Sequence, residues 1–230
     1  MNFFVEQAVL DVGVKILFAE IHGVDNHAVT PEWITYRQRK LSDLFARYEN
    51  LDVHTDPILE GFNVLHDRVG VKRRKNVPAS ENLIKLLEKH HDLPLINQAV
   101  DIYNLVSLES KLALGAHDLE KVDGAITLRF ADGLERFVPI GQEEPVPVEK
   151  GEYCYCDDAH EVLCRLEIRQ VEKTKVDEDS HNIGYIVQGN DRTDTAFLWQ
   201  TANKLIQATT RACGGEGRVV EPTVIRTDAR

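Results

Sequence analysis

The sequence holds no apolar run near the ~20 residues that cross a bilayer. It also lacks a G-x-x-x-x-G-K-[ST] loop, a G-x-G-x-x-G loop, an H-E-x-x-H pair and a G-x-S-x-G elbow. An ATP-driven ligase and a triad hydrolase are therefore without sequence support, no bound cofactor is expected, and a membrane is not an expected partner. Positive charge is short as well. Lys and Arg number 27 against 38 Asp and Glu, for a formal net charge of −11. Bulk nucleic-acid binding, which rests on Lys and Arg at phosphates, is excluded, and any RNA contact has to come from local basic patches on an acidic body. Cysteine is too sparse for a disulfide scaffold, with 4 in 230 residues. Cys154, Cys156 and Cys164 lack the spacing and the nearby His or Cys doublet of a metal site, so no metal is expected and the thiols are read as buried side chains. The opening Met1-Asn2-Phe3-Phe4-Val5-Glu6 has no basic stretch leading into an apolar one. A signal peptide is not expected, and the cytoplasm is the expected compartment.

What is present is a hydrophobic fraction of 43%, enough for a real core. Val14 to Ile21 reads as a buried strand. Thr30-Pro31 and Asp56-Pro57 each read as a helix start, a capping side chain followed by proline at the first helical position. Gly70 fits the stop of the second of these helices. Ser80 is expected to cap a third helix, and a fourth is expected from Ile96 to about Ser110. Beyond Ala125 the apolar period changes from 3.6 to 2. Ile126 to Phe130, the Asp132-Gly133 turn and Leu134 to Ile140 read as a hairpin. Tyr153 to Cys156, His160 to Gln170 and Ile183 to Val187 read as further strands. Asp191 to Cys213 reads as a closing helix, stopped by Gly214-Gly215. Helices, then mostly antiparallel strands, then a C-terminal helix specify an α+β fold. One domain over residues 1–217 with a flexible tail at 218–230 is expected.

Helical spacing places Asn97, Asp101 and Asn104 at i, i+4 and i+7 on one face. Such a trio organises either a small-ligand site or a set of caps and buried bonds. Gly115-Ala116-His117-Asp118 is expected in a loop after that helix. Arg165, Arg169, Lys173 and Lys175, with Lys72, Arg73 and Arg74, are the candidates for RNA contact; pairing with the many acidic residues is the alternative. Cys164 falls on the apolar face of its strand and is a poor nucleophile candidate.

The stretch LPLINQAVDIYNLVSLE, continued by GAHDLEKVDGAITLRFADG, resembles the B3/B4 tRNA-binding and editing module of phenylalanyl-tRNA synthetase beta subunits. Pro94, Asn97, Val100, Asp101, Asn104, Val106, Glu109, Ala116, Asp118, Leu119, Lys121, Gly124, Ile126 and Arg129 carry the match. A closer likeness is to free-standing modules of this kind, through Asn97 to Glu109, Gly115 to Leu119, Cys164-Arg165 and Arg169 to Lys175. The resemblance spans Pro78 to about Gly189. It implies a B3/B4-like fold, with tRNA or aminoacyl-tRNA as partner and hydrolysis of mischarged aminoacyl-tRNA by a positioned water. His117, Asp118 and Asn97 are then the catalytic candidates. Asp101, Asn104, Glu109, Gly115 and Glu167 are the substrate-binding ones. The family's editing histidine aligns with Gly115, and His117 takes the family's aromatic position two residues later. A non-catalytic tRNA-binding module and a pocket for a free amino acid are the competing readings.

Overall fold

The computed structural model describes residues 1–27 and 29–226 of the chain. Strand β1 (Phe3–Glu6) leads into the single helical turn α1 (Gln7–Asp11) and then β2 (Lys15–His22). Four helices follow: α2 (Pro31–Tyr48), α3 (Pro57–Arg68), α4 (Ala79–His90) and α5 (Gln98–Ser110). Next come β3 (Ala113–Asp118), β4 (Ile126–Phe130), β5 (Tyr153–Cys156), β6 (Val162–Arg165), β7 (Arg169–Gln170) and β8 (Asn182–Gly189). Helix α6 (Thr195–Cys213) and strands β9 (Glu216–Val220) and β10 (Thr223–Ile225) close the described chain.

The strands form two sheets, ordered β10-β1-β4-β5-β6-β7 and β3-β8-β2-β9. The second is antiparallel throughout; in the first, β1 runs parallel to both β10 and β4. The α+β expectation holds. Strand β2 is central and covered on both sides, which is why its apolar run is nearly continuous rather than alternating. One core lies between the sheets, with Phe3, Val5, Leu128 and Tyr155 from one and Ile16, Phe18, Ala113 and Ile186 from the other. A second core packs Leu17, Ala19, Leu114 and Tyr185 against α5 and α6. A third joins α2, α3, α4 and α5 through Leu41, Tyr48, Leu59, Ile84 and Leu108.

The two expected proline-led starts are present. Thr30 Oγ1 accepts from Trp33 N at 3.1 Å, and Asp56 Oδ1 accepts from Ile58 N and Leu59 N at 3.0 and 3.2 Å. Ser80, by contrast, is not a cap. Pro78 occupies that position, its carbonyl accepting from Asn82 N at 2.9 Å, and Ser80 lies buried inside α4.

Four further expectations are corrected. Gly115 to Asp118 is not a loop but the body of β3, fully buried and paired with β8 in the register Gly115↔Ile186 and His117↔Gly184. Burial on both faces, together with small residues, erased the alternation that marks a strand. Leu134 to Ile140 does not return along β4; β5 does. Pro139 has no N–H for a ladder, Leu134 is 87% exposed, and Glu135 turns back to accept from Asp132 N and Gly133 N. His160 to Gln170 is not one strand. Leu166 reverses the chain at a φ of 52°, so that β6 and β7 form a tight hairpin with Arg165 opposite Arg169. The segment expected as a tail from residue 218 is ordered as β9 and β10, which pair with β2 and β1; residues 227–230 lie outside the described part.

Ending the chain after Gly215 is expected to lower unfolding free energy by about 2 kcal/mol or more, the scale of exposing one or two buried aliphatic side chains. Urea denaturation of full-length and shortened chains checks this; an unchanged midpoint would mean that the two terminal pairings contribute nothing.

Candidate functional site: a two-part cleft at the β6–β7 hairpin

Because Leu166 turns the chain, the β6–β7 hairpin reaches over the start of α4 and the side of α5. A cleft opens there in two parts. Its mouth has a volume of about 460 Å³ and is lined by Lys75, Tyr103, Asn104, Ile140, Arg169 and Gln170 among others. Its inner end is a chamber of about 30 Å³ lined by Gly115, Tyr155, Cys164, Glu167 and Gln170. Ala79, Leu114, Ile168 and Gln170 border both. The mouth is roomy enough for an amino-acid-sized group, whereas the chamber suits a water.

Gly115 is required by close approach, not by its backbone angles. A Cβ placed on it would lie 2.6 Å from Gln170 Nε2, so the glutamine amide fills the space a side chain would take. Behind the chamber stands a buried polar network. Glu167 Oε1 lies 2.6 Å from His66 Nε2, and Glu167 Oε2 accepts from the Tyr153 hydroxyl and from Gln188 Nε2. Gln188 Oε1 accepts in turn from the Tyr155 hydroxyl. Burial alone would depress the His66 pKa. The adjacent Glu167 carboxylate outweighs burial and holds it above the ordinary histidine value. Sequence reasoning missed His66, Tyr153, Gln170 and Gln188. His66 sits in a helix that reads as purely structural, and the other three follow the strand pattern without a motif.

The residues expected at the site divide. Gly115 and Glu167 meet at the chamber; Asn104 lines the mouth. Asn97 precedes α5 in extended conformation, so it does not share a helical face with Asp101 and Asn104. Its Oδ1 caps Val100 N at 3.0 Å and its Nδ2 donates to Val176 O at 3.0 Å. Asp101 is buried with its Oδ2 3.3 Å from Arg37 Nε, and burial raises its pKa against the opposing pull of Arg37. Glu109 is held by Lys40 and Lys204, which overcome burial and lower its pKa. Asp118 caps the turn that follows it, accepting from Glu120 N at 3.0 Å and Ser180 Oγ at 2.8 Å. His117 is fully buried, with Nδ1 2.8 Å from Thr174 Oγ1, and burial lowers its pKa to about 4. It shares a β3 face with Gly115 but is not among the cleft-lining residues.

The basic candidates also divide. Arg165 holds Glu152 through two nitrogens and Asn76 through a third. Arg73 is tied to Asp67 and Glu60, Lys173 to Asp123, Asp157 and Glu161, and Lys175 to Glu172. Lys72, Arg74, Lys75 and Arg169 are exposed and make no ion pair with the described residues. Two of these, Lys75 and Arg169, stand at the mouth.

All four cysteines are free and buried. Burial pushes the Cys164 thiol far above its ordinary value, so it is protonated and inert as a nucleophile. Glu135, Cys154 and Cys156 do lie close enough together to share a cation, but Glu135 is already engaged by Arg129 and two backbone N–H groups. Among the described residues no helix is long and apolar enough to cross a membrane.

The model of the B3/4 domain family matches residues 65–226. Among solved structures, an N-terminal fragment of the phenylalanyl-tRNA synthetase beta-subunit from Pyrococcus horikoshii is similar at a TM-score of 0.51 and 14% identity. That match covers 99% of this chain and 52% of the other, so the chain spans about half of the fragment's length. At this identity the likeness is one of fold. No curated protein matches the sequence.

The two buried histidines predict opposite pH responses. His117 stays neutral in the folded chain down to about pH 4, whereas the unfolded chain protonates it below its ordinary value of 6.5. Its contribution is therefore complete above pH 6.5 and is lost as pH falls from there toward 4, on the order of 3 kcal/mol in all. His66, with its folded pKa raised, contributes fully below 6.5 and loses that contribution as pH rises through the folded value. Denaturant unfolding of His117→Gln across pH 7 to 4 is expected to show a flatter profile than the unsubstituted chain; equal slopes would mean that His117 takes up its proton as readily in the fold as in the unfolded chain.

Proposed function

The chain belongs to the B3/4 domain family, and from that premise we propose that it receives the acylated end of a tRNA in this cleft and hydrolyses a mischarged aminoacyl ester. The observation that carries the reading is the division of the cleft into a mouth of amino-acid size and an inner chamber of water size, joined at Gln170. An aminoacyl ester is already activated, so placing a water against its carbonyl carbon supplies much of what the reaction needs. The water oxygen bonds to that carbon and the ester bond to the ribose breaks. The ribose oxygen takes up a proton, leaving free amino acid and uncharged tRNA. Gln170 Nε2 is the donor best placed to hold the water or the developing oxyanion. Lys75 and Arg169, without acidic partners, are available to phosphate at the mouth. The role that resemblance assigns to a histidine does not pass to His117, whose ring is sealed under Thr174 and neutral at pH 7.

A second reading has an observation of its own. Glu167 is engaged at both oxygens by His66, Tyr153 and Gln188, which favours a module that binds tRNA without turnover.

The test is deacylation of a panel of tRNAs carrying correct or incorrect amino acids. Selective release of at least one incorrect amino acid is expected. Gly115→Ala should displace the far end of Gln170, close the chamber and slow release by about 10²-fold, at a stability cost of about 1–3 kcal/mol that leaves the chain folded. Asn97→Ala removes a helix cap and a buried bond to Val176 O and should cost about 2 kcal/mol or more of stability while leaving the lining of the cleft in place. Absence of turnover on every tRNA would remove the hydrolysis reading. Salt-sensitive tRNA binding would then identify the binding module, and absence of both would remove the tRNA assignment.

A further inference from the structure

On another part of the surface, α2 and α6 diverge beside the N-terminus of α5 and leave a groove of about 770 Å³. Trp33 and Tyr36, one helical turn apart on α2, line it with ring centroids 5.5 Å apart and planes 34° apart. Tyr36 is exposed, at 41%. Arg39 on α2 and Arg211 on α6 stand at its walls, exposed and without an ion pair among the described residues. Between them lies Gln98, the first residue of α5. Gln98 is 3% exposed, yet its Oε1 has no hydrogen-bond partner. A buried amide oxygen left unbonded costs free energy that folds rarely leave unrecovered. Trp33 Nε1, on the same groove, is likewise buried without a partner, and a ligand seated there would supply the bonds that both lack.

We propose that this groove binds a nucleotide. The base stacks on the Trp33–Tyr36 pair, which offers a π-face to any base. The Gln98 amide reads the base edge, supplying the adjacent acceptor and donor that match an adenine or cytosine edge. Arg39 and Arg211 take the phosphate, and Glu32, also on the lining, accepts from a ribose hydroxyl. The acidic body makes the local chemistry selective: Lys204 on the same wall is already committed to Glu109, which leaves the two arginines as the cations free for phosphate. The same chemistry is carried by a free nucleotide and by an unpaired residue of an RNA strand. This assignment is independent of the ester-hydrolysis reading, because it uses different residues and a ligand with no amino acid.

The experiment is titration of the full chain with AMP, dAMP and the trinucleotide r(AAA). It is followed by tryptophan fluorescence in a Trp199→Phe background, where Trp33 is the remaining tryptophan of the 2 in the sequence, and by calorimetry. Saturable quenching is expected, with weaker binding of dAMP than of AMP. Gln98→Leu should weaken AMP about ten-fold or more. Arg39→Ala and Arg211→Ala, both at exposed positions, should each weaken AMP several-fold and make its binding less sensitive to salt, and Gly115→Ala should leave binding unchanged. Tighter binding of r(AAA) than of AMP assigns the groove to an RNA strand, and equal binding assigns it to a free nucleotide. No quenching and no heat with any of the three ligands at millimolar concentration overturns the proposal. Binding that is indifferent to the Gln98, Arg39 and Arg211 variants overturns it as well.

Discussion

The hydrogen bond between His66 and Glu167 ties together parts of the chain that no local interaction would bring together. His66 comes from α3, Glu167 from the turn between β6 and β7, and their shared partners Tyr153 and Gln188 from β5 and β8. Helix α3 and both sheets are therefore joined at one buried point. Removing one member leaves the other a buried polar group short of a partner, at a cost of about 1–3 kcal/mol. The same point forms the back wall of the inner chamber, so what joins the layers also shapes the candidate site.

Charge elsewhere follows a simple pattern. Most cations that attract attention in the sequence are consumed: Arg165 by Glu152, Arg73 by Glu60 and Asp67, Lys173 by three carboxylates. An acidic chain neutralises its own basic residues unless geometry keeps them apart. The unpaired ones are then informative by position. Lys75 and Arg169 flank the cleft, and Arg39 and Arg211 flank the groove between α2 and α6. Each opening combines free cations with aromatic or amide groups, and neither relies on a broad basic surface.

Several elements were legible because their signals are local. Thr30-Pro31 and Asp56-Pro57 announce helix starts through capping and a fixed φ, both of which depend on adjacent residues alone. The motif around Asn97 to Arg129 placed the chain in its family. Glu167 and Gly115, chosen from the resemblance, do meet at one chamber. What failed was whatever depended on remote partners. Gly115 to Asp118 looked like a loop because a strand buried on both faces shows no alternation. Residues 218–225 looked loose because strand pairing at a sheet edge leaves little apolar signature; Glu216, Gly217 and Arg218 are exposed even while paired.

By itself the sequence determined the family, the α+β class, the absence of a membrane-spanning helix and the capped starts of α2 and α3. These follow from composition, spacing and short-range hydrogen bonding. The tertiary structure alone decided which polar residues line an opening and which are buried in hydrogen bonds. His117 and Gly115 lie two residues apart on one strand, yet one is sealed under Thr174 and the other opens onto a chamber. Asn97 and Asn104 share a motif, yet one caps a helix and the other lines the cleft. Such distinctions rest on what is packed against each side chain from elsewhere in the chain, and that information is not local to any stretch of sequence.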